Sequence, residues 1–141
     1  MRYTLDLRNV TPKVIYPLSE KFLGRRAEGK EIAFTNYYMT VNGKPFFGVT
    51  GEMHFSRIPA DRWEDAIIKA KMGGINIIAT YVFWNVHEEV EGQFRFYGCR
   101  NLRRFVELCQ KHGLYVILRI GPFGHGEMRN GGFPDWLYGK P

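Results

Sequence analysis

Glu52, His54 and Arg57, then Tyr81, Trp84, Asn85, His87 and Glu88, then His125, Glu127 and Arg129 form three clusters of side chains that could do chemistry. Carboxylates, an amide and aromatic rings gathered in one cleft suit a sugar, whose C–H faces stack on rings and whose hydroxyls take charge-assisted hydrogen bonds. A metal centre is not expected, because no third ligand at fixed spacing accompanies His125 and Glu127. A phosphate site is not expected either, since no Gly-rich phosphate loop follows an apolar run. Plainer readings stand beside these. His54 and His87 suit hydrogen-bonded scaffold, and His112 a favourable cation at a helix C-terminus. Glu127 could be a solvated loop carboxylate and Tyr81 a filler of a strand-lined interior. Trp84 suits a core position as well as a sugar platform.

For the clusters to meet, the elements before them must end at one edge. Asn42-Gly43, a dipeptide that tolerates positive φ, lies between two short apolar arms and predicts a hairpin. Its second arm runs into Phe46-Phe47-Gly48-Val49-Thr50-Gly51, read as a first barrel-type strand. Pro59 and the acidic Asp61, Glu64 and Asp65 then mark a helix start. Trp63, Ala66, Ile67 and Ala70 recur at helical spacing, and Gly73-Gly74 closes the helix. Ile75 to Trp84 is a nearly continuous apolar, β-branched and aromatic run, as expected of a parallel strand covered on both faces. The cycle repeats with a helix face of Leu102, Phe105, Val106 and Cys109, a stop at Gly113, and a third strand from Leu114 to Ile120. Buried strands alternating with helices make right-handed parallel βαβ units, so the class is α/β. Periodicity alone does not choose between an open sheet and a closed barrel. Each polar cluster follows the C-terminal end of a strand, where both architectures place their sites.

Residues 1–33, punctuated by Pro12, Pro17, Gly24 and Gly29, read as an N-terminal extension without committed structure, and 34–141 as the organised part. An apolar fraction of 45% suits a globular core. No run approaches the roughly 20 apolar residues that span a bilayer, so no membrane partner is expected. Charges in the first eight residues interrupt any secretory leader, so a cytoplasmic location is expected unless the natural start lies elsewhere. Cys99 and Cys109 fit a reduced compartment and structural roles. The formal charge of +6 comes from dispersed Lys and Arg, with no basic stripe, and nucleic acid is not an expected partner.

The order and spacing of several segments carry a further signal. Gly51-Glu52-Met53-His54-Phe55-Ser56-Arg57-Ile58-Pro59, Thr80-Tyr81-Val82-Phe83-Trp84-Asn85-Val86-His87-Glu88, Leu118-Arg119-Ile120-Gly121-Pro122-Phe123, Glu127, and Gly131-Gly132-Phe133-Pro134-Asp135-Trp136-Leu137 together resemble consecutive motifs of glycoside hydrolase family 35, the β-galactosidases. The resemblance runs from about Val41 to Leu137. It implies the N-terminal part, about three β/α units, of a (β/α)8 TIM barrel that is incomplete in this chain. Such a barrel needs eight units and typically about 250 residues.

The resemblance also implies a retaining, exo-acting enzyme that removes terminal β-galactosyl residues, with no cofactor. Its two catalytic glutamates, after the fourth and seventh strands, are expected beyond Pro141. Glu127 then matches a glutamate that binds galactose hydroxyls rather than a catalytic acid. Tyr81 matches a tyrosine that hydrogen-bonds the sugar near the reacting centre, and Gly126 a small residue whose backbone contacts it. The segment Phe123-Gly124-His125-Gly126-Glu127 departs from the commoner Tyr-Ile-Cys-Ala-Glu form, so His125 stands in the pocket where Cys or Asn is usual. Glu89 stands where proline usually follows His-Glu. The chain alone is expected to be inactive, to offer part of a pocket for a β-galactoside oligosaccharide or glycoconjugate, and to leave a third-strand edge through which copies could associate. The alternative is a non-catalytic carbohydrate-binding or pseudoenzyme remnant. An open reading frame downstream encoding Gln-x-Glu-Asn-Glu would separate the two.

Overall fold

The computed structural model describes residues 3, 4, 6, 8, 11–18, 24–25 and 31–140. The chain divides into two compact units, Met1–Phe47 and Gly48–Pro141. The first holds four antiparallel strands in spatial order: β1 (Gly24–Arg25), β2 (Glu31–Phe34), β3 (Met39–Val41) and β4 (Lys44–Phe46). The hairpin expected at Asn42-Gly43 joins β3 to β4, with φ of 52° and 72° at the two turn residues. The Asn42 side-chain oxygen also accepts from the Glu31 amide at 2.9 Å, which ties the turn to β2.

The described part of residues 1–33, left without committed structure above, carries β1 and the start of β2, strands that local sequence did not announce because their partner, the hairpin, lies later in the chain. One expectation is corrected here: the strand read over 46–51 is displaced. Phe46 pairs with Met39 in the hairpin, and the first parallel strand is instead β5 (Thr50–Glu52). Val49 marks the change of partner: its amide donates to the Asn76 side chain at 2.8 Å, and its carbonyl accepts from the Asn76 and Ile77 amides.

In the second unit, β5, β6 (Ile77–Val82) and β7 (Tyr115–Ile120) form a parallel sheet in that order. Helix α1 (Trp63–Met72) connects the first pair, and the single turn α2 (Trp84–His87) and helix α3 (Leu102–Lys111) the second. The Asn101 side chain caps α3 by accepting from the Arg104 amide, satisfying one of the orphan donors of a helix start. Trp63 and Ile67 of α1 and Phe105 and Cys109 of α3 are fully buried, and with Phe55, Ile78 and Leu114 they form the core under the sheet. These are the faces that helical spacing picked out. Burial pushes the Cys109 thiol up to about 11, so it stays protonated and packs as a small apolar group, whereas Cys99 is exposed. No helix among the described residues is long and apolar enough to cross a membrane.

His87 closes this core from the loop side. Its ring is stacked with Phe55 and Phe96, and Nδ1 donates to the Arg95 carbonyl at 3.0 Å. Burial, foremost, lowers its pKa, with the nearby Arg100 charge adding to the effect. The unfolded chain therefore takes up a proton near the ordinary imidazole value of about 6.5, where the folded chain does not. Stability should be full above that pH and decline as pH falls from 7 to 5, a window above the range in which the lowered carboxyls of Glu52 and Glu64 act. Urea midpoints at pH 7 and pH 5 check this. The drop should shrink in His87→Phe, and an equal drop in that variant would count against His87 as its source.

Candidate functional site

Because β5, β6 and β7 are parallel, their C-terminal ends Glu52, Val82 and Ile120 lie along one edge of the sheet, and the polar clusters follow there. The register also sets which side chains share a face. Tyr81 is directly opposite Arg119, and Glu52 is opposite Ala79, two residues before Tyr81. Side chains two apart on a strand point the same way, so Glu52, Tyr81 and Arg119 occupy one face.

They are bonded to one another. Arg119 Nη1 donates to Glu52 Oε2 at 2.6 Å and to the Tyr81 hydroxyl at 3.0 Å. Its guanidinium carbon also sits 4.9 Å from the centroid of the Tyr81 ring. The other Glu52 oxygen accepts from His54 Nε2 at 2.7 Å, and His54 Nδ1 faces Arg57 Nη1 at 3.0 Å. A carboxylate only accepts and a guanidinium only donates, so His54 is the neutral tautomer with its proton on Nε2. Arg57 Nη2 then donates to the carbonyls of Gly126, at 2.7 Å, and Glu127, at 3.1 Å. The hydrogen bond from His54, foremost, holds the Glu52 carboxyl below the usual carboxylate range, opposed by desolvation and aided by the charge and hydrogen bond of Arg119.

The segment after β7 reaches this cluster by a close backbone approach. A Cβ placed on Gly126 would lie 2.5 Å from the Phe83 ring and 3.1 Å from the Tyr81 ring, so no side chain fits there without displacing them. Phe83 is itself buried and stacked on Tyr81, with ring centroids 5.3 Å apart. Glycine at 126 thus lets the main chain rest on the aromatic pair. It also delivers Glu127, whose carboxylate is exposed and has no hydrogen-bond or ion-pair partner among the described residues. Glu127 holds φ of 52°, a left-handed conformation that side-chain-bearing residues adopt only when surroundings fix it. The two bonds from Arg57 to this stretch are such a restraint.

Of the residues singled out from sequence, Tyr81, Gly126 and Glu127 come together, joined through Phe83 and Arg57. His125 is exposed and meets Phe123 edge-on, 5.0 Å between ring centroids. Trp84 lies elsewhere. It is half-buried, edge-on to Trp136 at 5.7 Å, and its indole N–H donates to Glu88. Glu88, grouped with the cleft on sequence, is instead buried and holds its own loop: the carboxylate accepts from Trp84 and the Gly92 amide, and its carbonyl accepts from Trp136. A carboxylate this enclosed has spent its acceptors on the loop. His112 bonds Glu64 at 2.8 Å and so links α3 to α1. Among the described residues no group of three or more His, Cys, Asp or Glu could hold a metal ion. Sequence reasoning missed Arg119 and Phe83 as members of the site. A charge inside the apolar run of the third strand was a readable sign for Arg119, and Phe83 gave none.

The sequence profile of glycosyl hydrolases family 35 matches residues 38–141, which span the whole cluster. The chain belongs to this family. Beta-galactosidase 7 of Oryza sativa subsp. japonica is 45% identical over 113 residues, a stretch that covers 80% of this chain and 15% of the rice protein. The exo-beta-D-glucosaminidase of Thermococcus kodakarensis is 43% identical over 111 residues, covering 76% of this chain and 14% of the relative. This chain therefore spans only about a seventh of the length of the curated relatives it matches. Among solved structures, an exo-β-1,4-mannosidase from an Opitutaceae bacterium superposes with a TM-score of 0.50 at 15% identity, covering 84% of this chain and 20% of that one. At that identity the likeness bears on the fold alone, and the fold is the mixed α/β, TIM-barrel type of glycoside hydrolases. The Tyr81–Gly126–Glu127 cluster lies at the C-terminal end of the parallel strands.

Proposed function

We propose that this chain forms the first part, about three β/α units, of the catalytic barrel of a retaining, exo-acting β-galactosidase. It supplies one wall of the pocket for the terminal galactose. The observation that carries the reading is the convergence of Tyr81, Gly126 and the unpartnered Glu127 carboxylate at the C-terminal edge of the parallel sheet. Retaining chemistry needs two carboxyl groups about 5–5.5 Å apart, one to protonate the leaving oxygen and one to attack the anomeric carbon. None of the carboxylates gathered here fits that pair. Glu52 is engaged by His54 and Arg119, Glu88 by its loop, and Glu127 stands alone. The resemblance to family 35 implies an acid and a nucleophile in chain beyond Pro141, and the engagements of Glu52 and Glu88 agree with that assignment. The wall described here orients the sugar, and its binding energy goes into positioning.

The test compares this 141-residue chain with the protein carrying the whole family domain on a nitrophenyl β-galactoside. The longer protein should turn over and the chain alone should not. Sedimentation of the same sample should show the isolated chain self-associating, because Ile117, Leu118 and Ile120 of β7 are exposed. Turnover by the isolated chain, stopped by a mechanism-based galactosyl inhibitor, would overturn the division of labour.

A second reading concerns the sugar. The Thermococcus relative is named a glucosaminidase and is nearly as similar as the rice β-galactosidase. Nitrophenyl β-glucosaminide run beside the galactoside decides between them.

A further inference from the structure

We propose that Arg119 and Glu52 are positioning residues that fix the Tyr81 phenol as a hydrogen-bond donor toward the bound sugar, resting on the pocket assigned above. The inference follows from which atoms can donate. Arg119 is donor-only, and one nitrogen, Nη1, serves both Glu52 Oε2 and the Tyr81 hydroxyl. The phenol oxygen is thereby an acceptor toward Arg119, and its own hydrogen must point away from the guanidinium. A tyrosine held in this way offers an O–H to an acceptor on the ligand, a ring or hydroxyl oxygen. A phenol without the guanidinium could rotate and present lone pair or proton alike.

Glu52 is what holds the guanidinium. Its other oxygen is taken by His54, whose second nitrogen accepts from Arg57, and Arg57 grips the carbonyls of Gly126 and Glu127. The two sugar-facing sides of the pocket, the phenol on β6 and the loop after β7, are thus tied through a single carboxylate at the end of β5. No member of this chain between Tyr81 and Glu127 needs to touch the sugar. Loss of Arg119 should act through Tyr81, and only when the hydroxyl is there to be misplaced.

That conditional makes a double-mutant cycle the test, in the protein that carries the whole family domain. Arg119→Met should lower kcat/KM on nitrophenyl β-galactoside by about 10- to 100-fold, the scale on which small misplacements act. In a Tyr81→Phe background the same change should cost no more than about 2-fold, within the usual error of additivity. Arg119→Lys keeps a donor and should recover part of the loss, and the loss should fall on kcat more than on KM. Equal losses in both backgrounds, or no loss from Arg119→Met, would overturn the proposal.

A readout free of turnover keeps this separate from the choice of substrate. With tyrosine labelled at Cζ, the Tyr81 signal should shift in both Arg119→Met and Glu52→Gln, provided each variant melts as the parent does. If the parent cleaves neither sugar, the assignment of function fails alone. An unmoved Tyr81 signal in those variants would end the positioning proposal whatever the substrate. Should Arg119→Met fold poorly, Arg119→Lys and Glu52→Gln carry the same measurement.

Discussion

Glu127→Gln, in the protein carrying the whole family domain, is expected to lower kcat/KM for a β-galactoside by about 10- to 150-fold, the range a hydrogen bond to a charged partner spans. The reason lies in what the carboxylate is not doing. Its residue is exposed, its carboxylate has no partner among the described residues, and its backbone, at φ of 52°, is held by the Arg57 side chain through the main-chain carbonyls rather than through the carboxylate. Under the function proposed above, this unspent charged acceptor takes the hydroxyls of the sugar. Hydroxyls donate to a carboxylate more strongly than to an amide oxygen, and glutamine keeps the shape while removing the charge. The same substitution should leave the melting temperature almost unchanged, because no internal contact is removed. Kinetics together with a thermal melt check both halves. A large fall in stability with little change in kcat/KM would show that the carboxylate serves the fold instead.

The contrast with Glu88 shows how far the sequence could be read. Both glutamates sit in loops after strands, beside aromatic or glycine neighbours, and local pattern treats them alike. Only packing tells them apart: Glu88 is buried with its oxygens committed to Trp84 and Gly92, and Glu127 is not. The helices and their buried faces were legible because burial on one side imposes a period on the chain, and the second and third parallel strands because they are near-continuous apolar runs. Trp63, Ile67, Phe105 and Cys109 all fell on the faces that this period marks. The start of the first parallel strand was not legible. Phe46 and Phe47 continue an apolar run across the point where the chain leaves one sheet for another, and a run of hydrophobic residues carries no mark of a change in partner. β1 was hidden for a related reason, since an antiparallel partner can lie at any distance along the chain. Within the site, motif order pointed to Tyr81, Gly126 and Glu127. The hydrogen-bonded chain that joins them was out of reach, because Glu52, Tyr81 and Arg119 come from three strands and only register brings them to one face.

Register is in turn held by the core beneath it, and the largest expected effect on stability follows. Phe55→Ala should destabilise the second unit by about 3–5 kcal/mol, the cost of removing a buried aromatic ring and leaving a cavity. Small domains are stable by about 5–15 kcal/mol, so this takes roughly a fifth or more of the total. Phe55 is fully buried and lies against three rings: stacked with Phe105 at 5.3 Å and His87 at 5.9 Å, and edge-on to Trp63 at 5.9 Å. Its carbonyl also accepts from the Trp63 indole at 2.9 Å. One side chain therefore joins α1, α3 and the loop after β6. It also lies between His54 and Arg57 in sequence, so the short 3-10 turn that aims both of them is anchored by this ring. The variant should lose the site before it loses the fold. At a urea concentration where the parent is fully native, the hydrogen-bonded chain from Glu52 to Glu127 should already be loosened, seen as faster amide exchange at Arg57 and Ile58. A urea midpoint shift equivalent to less than about 1 kcal/mol would mean that the neighbouring rings collapse into the space, and that the turn is held by Trp63 alone.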